Sequence, residues 1–184
     1  GGEAVDPYFS FQIEGVETGV VTNEITTSIA TSYDTVPFDV LIIGNPEYAA
    51  HKLTASTNAS QGYSVKIKLD SFLQGNYPGN IISEFSANDA SWSVPQAWVS
   101  PTGTTPNVNT GWIGANTSDT RVPNWNNAAA KFAPLNTLSH TVMYSGTSDG
   151  DGTSCYVTYA IEINEYQPTD LYIGTISYNV LPNY

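Results

Sequence analysis

Tyr63-Ser64-Val65-Lys66-Ile67-Lys68-Leu69 decides the fold class. Successive side chains of an extended chain point to opposite faces, so Tyr63, Val65, Ile67 and Leu69 share one side and both lysines take the other. That is a half-buried β-strand with an unambiguous core face. Upstream, Leu53-Thr54-Ala55-Ser56-Thr57 ends at Asn58-Ala59-Ser60-Gln61-Gly62, a cluster of turn formers. Two alternating runs separated by such residues predict a hairpin.

The same period recurs outward from this pair. Phe9, Phe11 and Ile13 alternate with Ser10, Gln12 and Glu14, and Ile25-Thr26-Thr27-Ser28-Ile29 is rich in β-branched residues. Val36-Pro37-Phe38-Asp39-Val40-Leu41-Ile42 predicts a further strand, with Pro37 at its start or on a sheet edge. Strand signals return at His140–Tyr144, at 155–164 and at Tyr172–Val180. Residues 70–135 differ, being dense in Gly, Pro, Asn and Ser and carrying all four tryptophans, Trp92, Trp98, Trp112 and Trp125. They are expected to be long loops inserted in, or covering, one end of a sandwich, with a helical turn or two at 127–132 behind Asn126 as N-cap. The whole is expected to be one all-β domain over 1–184, a jelly-roll-like β-sandwich of about seven to nine strands.

Composition narrows the function classes. Charged residues make up 12% of the chain, about half the usual share of roughly 25%. Five basic residues face seventeen acids, a net charge of −12. Such a surface repels phosphate backbones, so no nucleic-acid partner is expected. No run approaches the ~20 apolar residues of a membrane helix, so membrane insertion is not expected either. The chain opens at Gly1-Gly2, a start that a removed leader or an arbitrary chain boundary would equally give. Secretion to the cell surface or beyond is inferred mainly from composition. Cys155 is the single cysteine and shares a face with Val157, Tyr159 and Ile161, which predicts a buried, inert thiol.

Chemical motifs are sparse, and no enzyme is expected. Gly146-Thr147-Ser148-Asp149-Gly150 matches G-x-S-x-G, but a nucleophile elbow needs a strand–turn–helix and a later His. Both histidines, His51 and His140, come earlier in the chain. Asp149-Gly150-Asp151 resembles the opening of a calcium loop, yet the twelfth position is Ala160 where an EF-hand needs Glu. Two readings stand: a calcium site at Asp149 and Asp151 completed by distant carboxylates, or a plain Asp-Gly turn. No other cofactor is expected. Glu162 is placed on the outward face of its strand and Glu165 near its end, which does not make a glycosidase pair. Asn58-Ala59-Ser60 and Asn116-Thr117-Ser118 match the glycosylation sequon. The four tryptophans have two uses in this setting, as a stacking platform for cell-envelope glycans or as caps on an open end of the core.

Leu53 to Val65 resembles a recurring stretch of bacterial secreted surface proteins, "LTVTTNASNGYTVTV". Tyr172-Ile173-Gly174-Thr175-Ile176-Ser177-Tyr178 through Pro182-Asn183-Tyr184 is similar to their ending, "Y-x-G-T-I-T-Y-x-x-x-P-x-F". In size and strand pattern the chain is also similar to WxL-like surface domains, although the WxL signature does not occur, and to filament subunits of the TasA and camelysin type. The filament resemblance implies a homopolymer assembled by donor-strand complementation, in which a terminal strand of one subunit completes the sheet of the next. Residues 1–14 suit a donor, with Val5, Tyr8, Phe9, Phe11 and Ile13 as inserted knobs. The alternative is that residues 8–14 are the first strand of their own sheet. Tyr184 offers a donor from the other end. The leading expectation is thus a structural subunit of an extracellular filament or surface polymer. A carbohydrate-binding or adhesive module is second, and a capsid or spike jelly roll third.

Overall fold

The computed structural model describes residues 6–184; Val5 of the expected donor segment lies outside the described residues. Thirteen strands run in chain order among them. The first seven are β1 (Phe9–Gly15), β2 (Val21–Thr22), β3 (Ile25–Thr26), β4 (Glu47–Thr57), β5 (Tyr63–Leu69), β6 (Leu73–Gln74) and β7 (Ile81–Glu84). After a short 3-10 turn come β8 (Gln96–Ala97), β9 (Gly111–Thr117), β10 (Lys131–Pro134), β11 (His140–Ser145), β12 (Asp149–Ile163) and β13 (Ile176–Pro182). The chain is all-β, as its alternation predicts.

Two sheets face each other. The larger has the order β1-β4-β12-β9-β10-β8, with β7 alongside β9 and β6 beside β7; the smaller is β11-β5-β13. Pairing is antiparallel throughout, except that β7 runs parallel to β9. Between the sheets the predicted core face of β5 meets its counterparts. Tyr63, Val65, Ile67 and Leu69 are buried against Leu53 and Ala55 of β4 and against Cys155, Val157, Tyr159 and Ile161 of β12. Fully burying an aliphatic side chain contributes about 1.5–3 kcal/mol, so these alternating rows are the main stabilising term.

The predicted hairpin at 53–69 is an arch instead. β4 pairs with β1 and β12, whereas β5 pairs with β11 and β13, so residues 58–62 carry the chain from one sheet to the other. A turn between two alternating runs serves either purpose, because both need a reversal of direction and differ only in which way the core faces point. Gly62 holds the corner: its φ is +76°, and a Cβ there would meet the Ser145 carbonyl at 2.0 Å. Gly146-Thr147-Ser148 likewise crosses between sheets, joining β11 to β12.

Residues 70–135 hold more sheet than their composition suggests. β9 lies inside the large sheet between β12 and β10, and every one of its residues is buried. It is covered on both faces, by the main core and by an outer layer. In that layer Phe85, Phe132 and Trp112 pack beneath the partly buried Trp98 and Tyr48. A strand buried on both sides shows no alternation, so Gly111-Trp112-Ile113-Gly114-Ala115-Asn116-Thr117 gives no period-two signal. The helical turns expected at 127–132 are ordinary turns leading into β10. The strand expected at 36–42 is absent too, since residues 36–43 make no strand. Pro37 has no N–H to pair, and Asp39 sits at φ +56°, in the left-handed region, which breaks an extended run.

Candidate functional site

β1 is an edge strand. It pairs with β4 from Phe9 opposite Thr57 to Gly15 opposite His51, and no strand among the described residues flanks its other side. Phe9, Phe11 and Ile13 reach inward against the main core, while Ser10 and Gln12 are exposed. Phe9 meets Tyr63 edge-on with ring centroids 5.6 Å apart, and Phe11 meets Tyr178 at 6.3 Å. Ahead of the strand, the Tyr8 amide donates to Asn58 Oδ1 at 2.9 Å and Thr57 Oγ1 donates to the Tyr8 carbonyl at 2.8 Å. Behind it, the Val16 amide donates to Thr31 Oγ1 and the Thr31 amide to the Val16 carbonyl, fixing the chain after Gly15. Residues 8–15 are therefore held by one neighbouring strand, three inward side chains and the Asn58 clamp.

Below this strand lies a buried polar chain. His51 Nε2 is 2.7 Å from the Ser32 carbonyl and Nδ1 is 2.9 Å from the Tyr159 hydroxyl, which is bonded in turn to Tyr178. The consistent assignment is a neutral imidazole that donates to Ser32 and accepts from Tyr159. Burial pushes the His51 pKa down and those of Tyr159 and Tyr178 up, so all three stay uncharged near neutrality. The chain ties β4, β12 and β13 together.

The tryptophans divide into two clusters rather than one platform. Trp92 and Trp125 lie at 5.1 Å, and Trp92 stacks on His140 at 5.0 Å beside a cleft of about 280 Å³ that Asn124 and Ser139 also line. Trp98 stacks on Phe85 at 4.6 Å in the outer layer, where Phe85 also meets Trp112 edge-on. All four indole N–H groups are used internally, by Pro134, Glu162, Asn109 and the Trp92 carbonyl.

Glu162 corrects an expectation. It faces away from the main core as read, but the outer layer covers it completely, and its Oε2 accepts from Trp98 Nε1 at 2.6 Å while Oε1 has no protein partner. Asn116, on the same covered face, is also fully buried with neither amide atom bonded, so its sequon is closed to modification in this fold.

Asp149 is committed to its own loop. Oδ1 accepts from the Gly152 amide, Oδ2 from Thr153 Oγ1 at 2.6 Å, and Arg121 Nη1 lies 3.8 Å away. Arg121 in turn forks onto the buried Asp119, with contacts of 3.0 Å, and reaches the Tyr63 hydroxyl at 3.2 Å. Asp151 is exposed. Among the described residues no three His, Cys, Asp or Glu side chains are grouped to hold a metal. The Arg121 network was invisible to spacing arguments, because Arg121 joins Asp149 and Tyr63 from distant parts of the chain. Its one signal was that Arg121 is the single arginine. Ser148 is exposed, and the hydrogen bonds of His140 and His51 go to Asn136, Tyr159 and Ser32 rather than to it. Cys155 is buried, which pushes its thiol up to about 12 and keeps it unreactive.

No helix among the described residues is long and apolar enough to cross a membrane. Comparison with protein-family models, with curated proteins and with solved structures gives no match to this chain.

Proposed function

We propose that the chain is a structural subunit of an extracellular or cell-surface filament, joined head-to-tail by exchange of its N-terminal strand. The observation that carries the reading is the placement of β1. It sits at a sheet edge, inserts Phe9, Phe11 and Ile13 from one side, and is bonded to a single strand, β4. Lifting it away leaves the β4 edge and three side-chain spaces that an identical segment of a neighbour fits equally well. The anchored pair Val16–Thr31 puts the hinge at Gly15. Exchange between copies is a head-to-tail contact, which propagates unless the rotation closes it into a ring. The acidic, low-charge composition suits a secreted, soluble subunit.

A test uses a synthetic peptide of residues 6–15. Added in excess to the intact chain, it should occupy vacated β4 edges and stop assembly. Unchanged polymer length at saturating peptide would sink strand exchange through β1. The cleft beside Trp92 and His140 favours a second reading, glycan binding, which a polysaccharide-induced change in tryptophan fluorescence would reveal.

A further inference from the structure

The segment between Ser32 and Gly44 is unusual in this fold. Its ends are pinned, with the Ser32 carbonyl on His51 and the Gly44 amide donating to the Ile163 carbonyl. Val36, Phe38 and Leu41 pack against the main core. Between these contacts the amides of residues 39–43 find no backbone partner among the described residues. Tyr33, Val40, Ile42 and Ile43 point outward at 69%, 79%, 62% and 60% exposure. Apolar groups concentrated on one short solvated strap mark an interaction surface more often than scattered exposed residues do.

Charge identifies the occupant. No Lys or Arg occurs before Lys52, whereas Glu14, Glu17, Glu24, Asp34, Asp39 and Glu47 all do, so the strap lies in the acidic part of the chain. The outer face of the small sheet is its complement. Lys66 and Lys68 stand there, level with Asn179 and Ser177 of β13, near the exposed Leu181 and Tyr144. Ion pairs among the described residues involve Arg121 alone, so neither lysine has a carboxylate within 4.0 Å among them, and Asp70 at the end of the row is engaged by Ser177 Oγ at 2.6 Å. Resting on the filament reading above, we infer that the strap Tyr33–Ile43 docks on the outer face of the small sheet of a second copy, with Asp34 and Asp39 toward Lys66 and Lys68. The two surfaces are different parts of the molecule, so this contact too runs head-to-tail, and it adds apolar burial and charge pairing to the exchanged strand.

The test mixes unlabelled and uniformly nitrogen-15-labelled full-length chain before assembly, then applies a zero-length carbodiimide that couples lysine amines to carboxylates. Mass spectrometry should find mixed-isotope links between Lys66 or Lys68 and Asp34 or Asp39. Yields should fall severalfold in the doubly substituted Val40→Ser/Ile42→Ser chain, whose changes are on exposed positions. Electron microscopy of the same samples separates the two proposals. Polymers without these links overturn the docking surface and leave the filament reading intact. Links between paired copies without polymers support the docking surface and remove the filament. Absence of both overturns both. Links that persist undiminished in the double variant overturn the apolar part of the contact.

Discussion

Phe9–Gly15 and Val36–Ile43 carry the same kind of alternation, yet one is a strand and the other a strap. β1 pairs along its whole length with β4. The second segment packs Val36, Phe38 and Leu41 inward but forms no ladder, its backbone making only local turn bonds such as the Phe38 amide to the Val36 carbonyl. The difference lies in the main chain. Pro37 lacks an amide hydrogen, and Asp39 at φ +56° reverses the pleat. Alternation predicts the buried side chains where the backbone stays extended, as in β1, and fails past Asp39, where Val40 and Ile42 face out and Leu41 faces in.

Single substitutions sharpen the contrast. Phe11→Ala should cost about 2 kcal/mol by urea denaturation, below the 3–5 kcal/mol of a fully buried Phe because the ring is partly exposed. Phe38→Ala, on a segment with no ladder to disrupt, should cost about half as much. An equal loss at both sites would erase the distinction between strand and strap.

Acid offers a second comparison, because His51 bonds the strap at Ser32 and the β-strands at Tyr159. Burial lowers its folded pKa below the unfolded value of about 6.5. Its contribution is complete above about pH 6.5 and is lost as pH falls from there through the folded pKa, since the unfolded state then binds more protons. His140 is lowered by burial as well and adds to the same slope. Thermal melts from pH 7.5 to 5 should show Tm falling by a few degrees, with a shallower slope in His51→Gln. A slope unchanged by that substitution would mean that His51 does not couple the strap to the core.

The smallest effect is expected at the exposed strap positions. Val40→Ser and Ile42→Ser should each alter stability by no more than about 0.5 kcal/mol, as surface changes do. A larger loss would place these side chains inside the monomer rather than on its surface. Calcium should leave Tm unmoved, because Asp149 is already engaged by Thr153, Gly152 and Arg121.

The sheet facing the main core was legible in the sequence wherever one face met water. Tyr63–Leu69 alternates because its other face carries Ser64, Lys66 and Lys68, which are only partly buried. The outer face of Cys155–Ile161 is instead covered at Thr158 and Ala160, and that run alternates only in residue size and polarity. Gly111–Thr117 was not, since an aromatic outer layer covers its second face and removes the need for polar residues there. The same layer hid Glu162, which reads as a solvent-facing carboxylate until Trp98 is found above it. The arch at 58–62 was misread because a turn signal reports a reversal and not the sheet that receives the next strand. At the candidate site, Phe9, Phe11 and Ile13 were recognisable as inward-facing. The tryptophans could not be sorted into two clusters, because that division depends on which loops fold over which face.

Electron microscopy of the purified full chain beside a variant lacking residues 1–14 tests the central claim most directly. Fibres from the full chain, and none from the truncated one, are the predicted result. Folded monomers in both samples would contradict it.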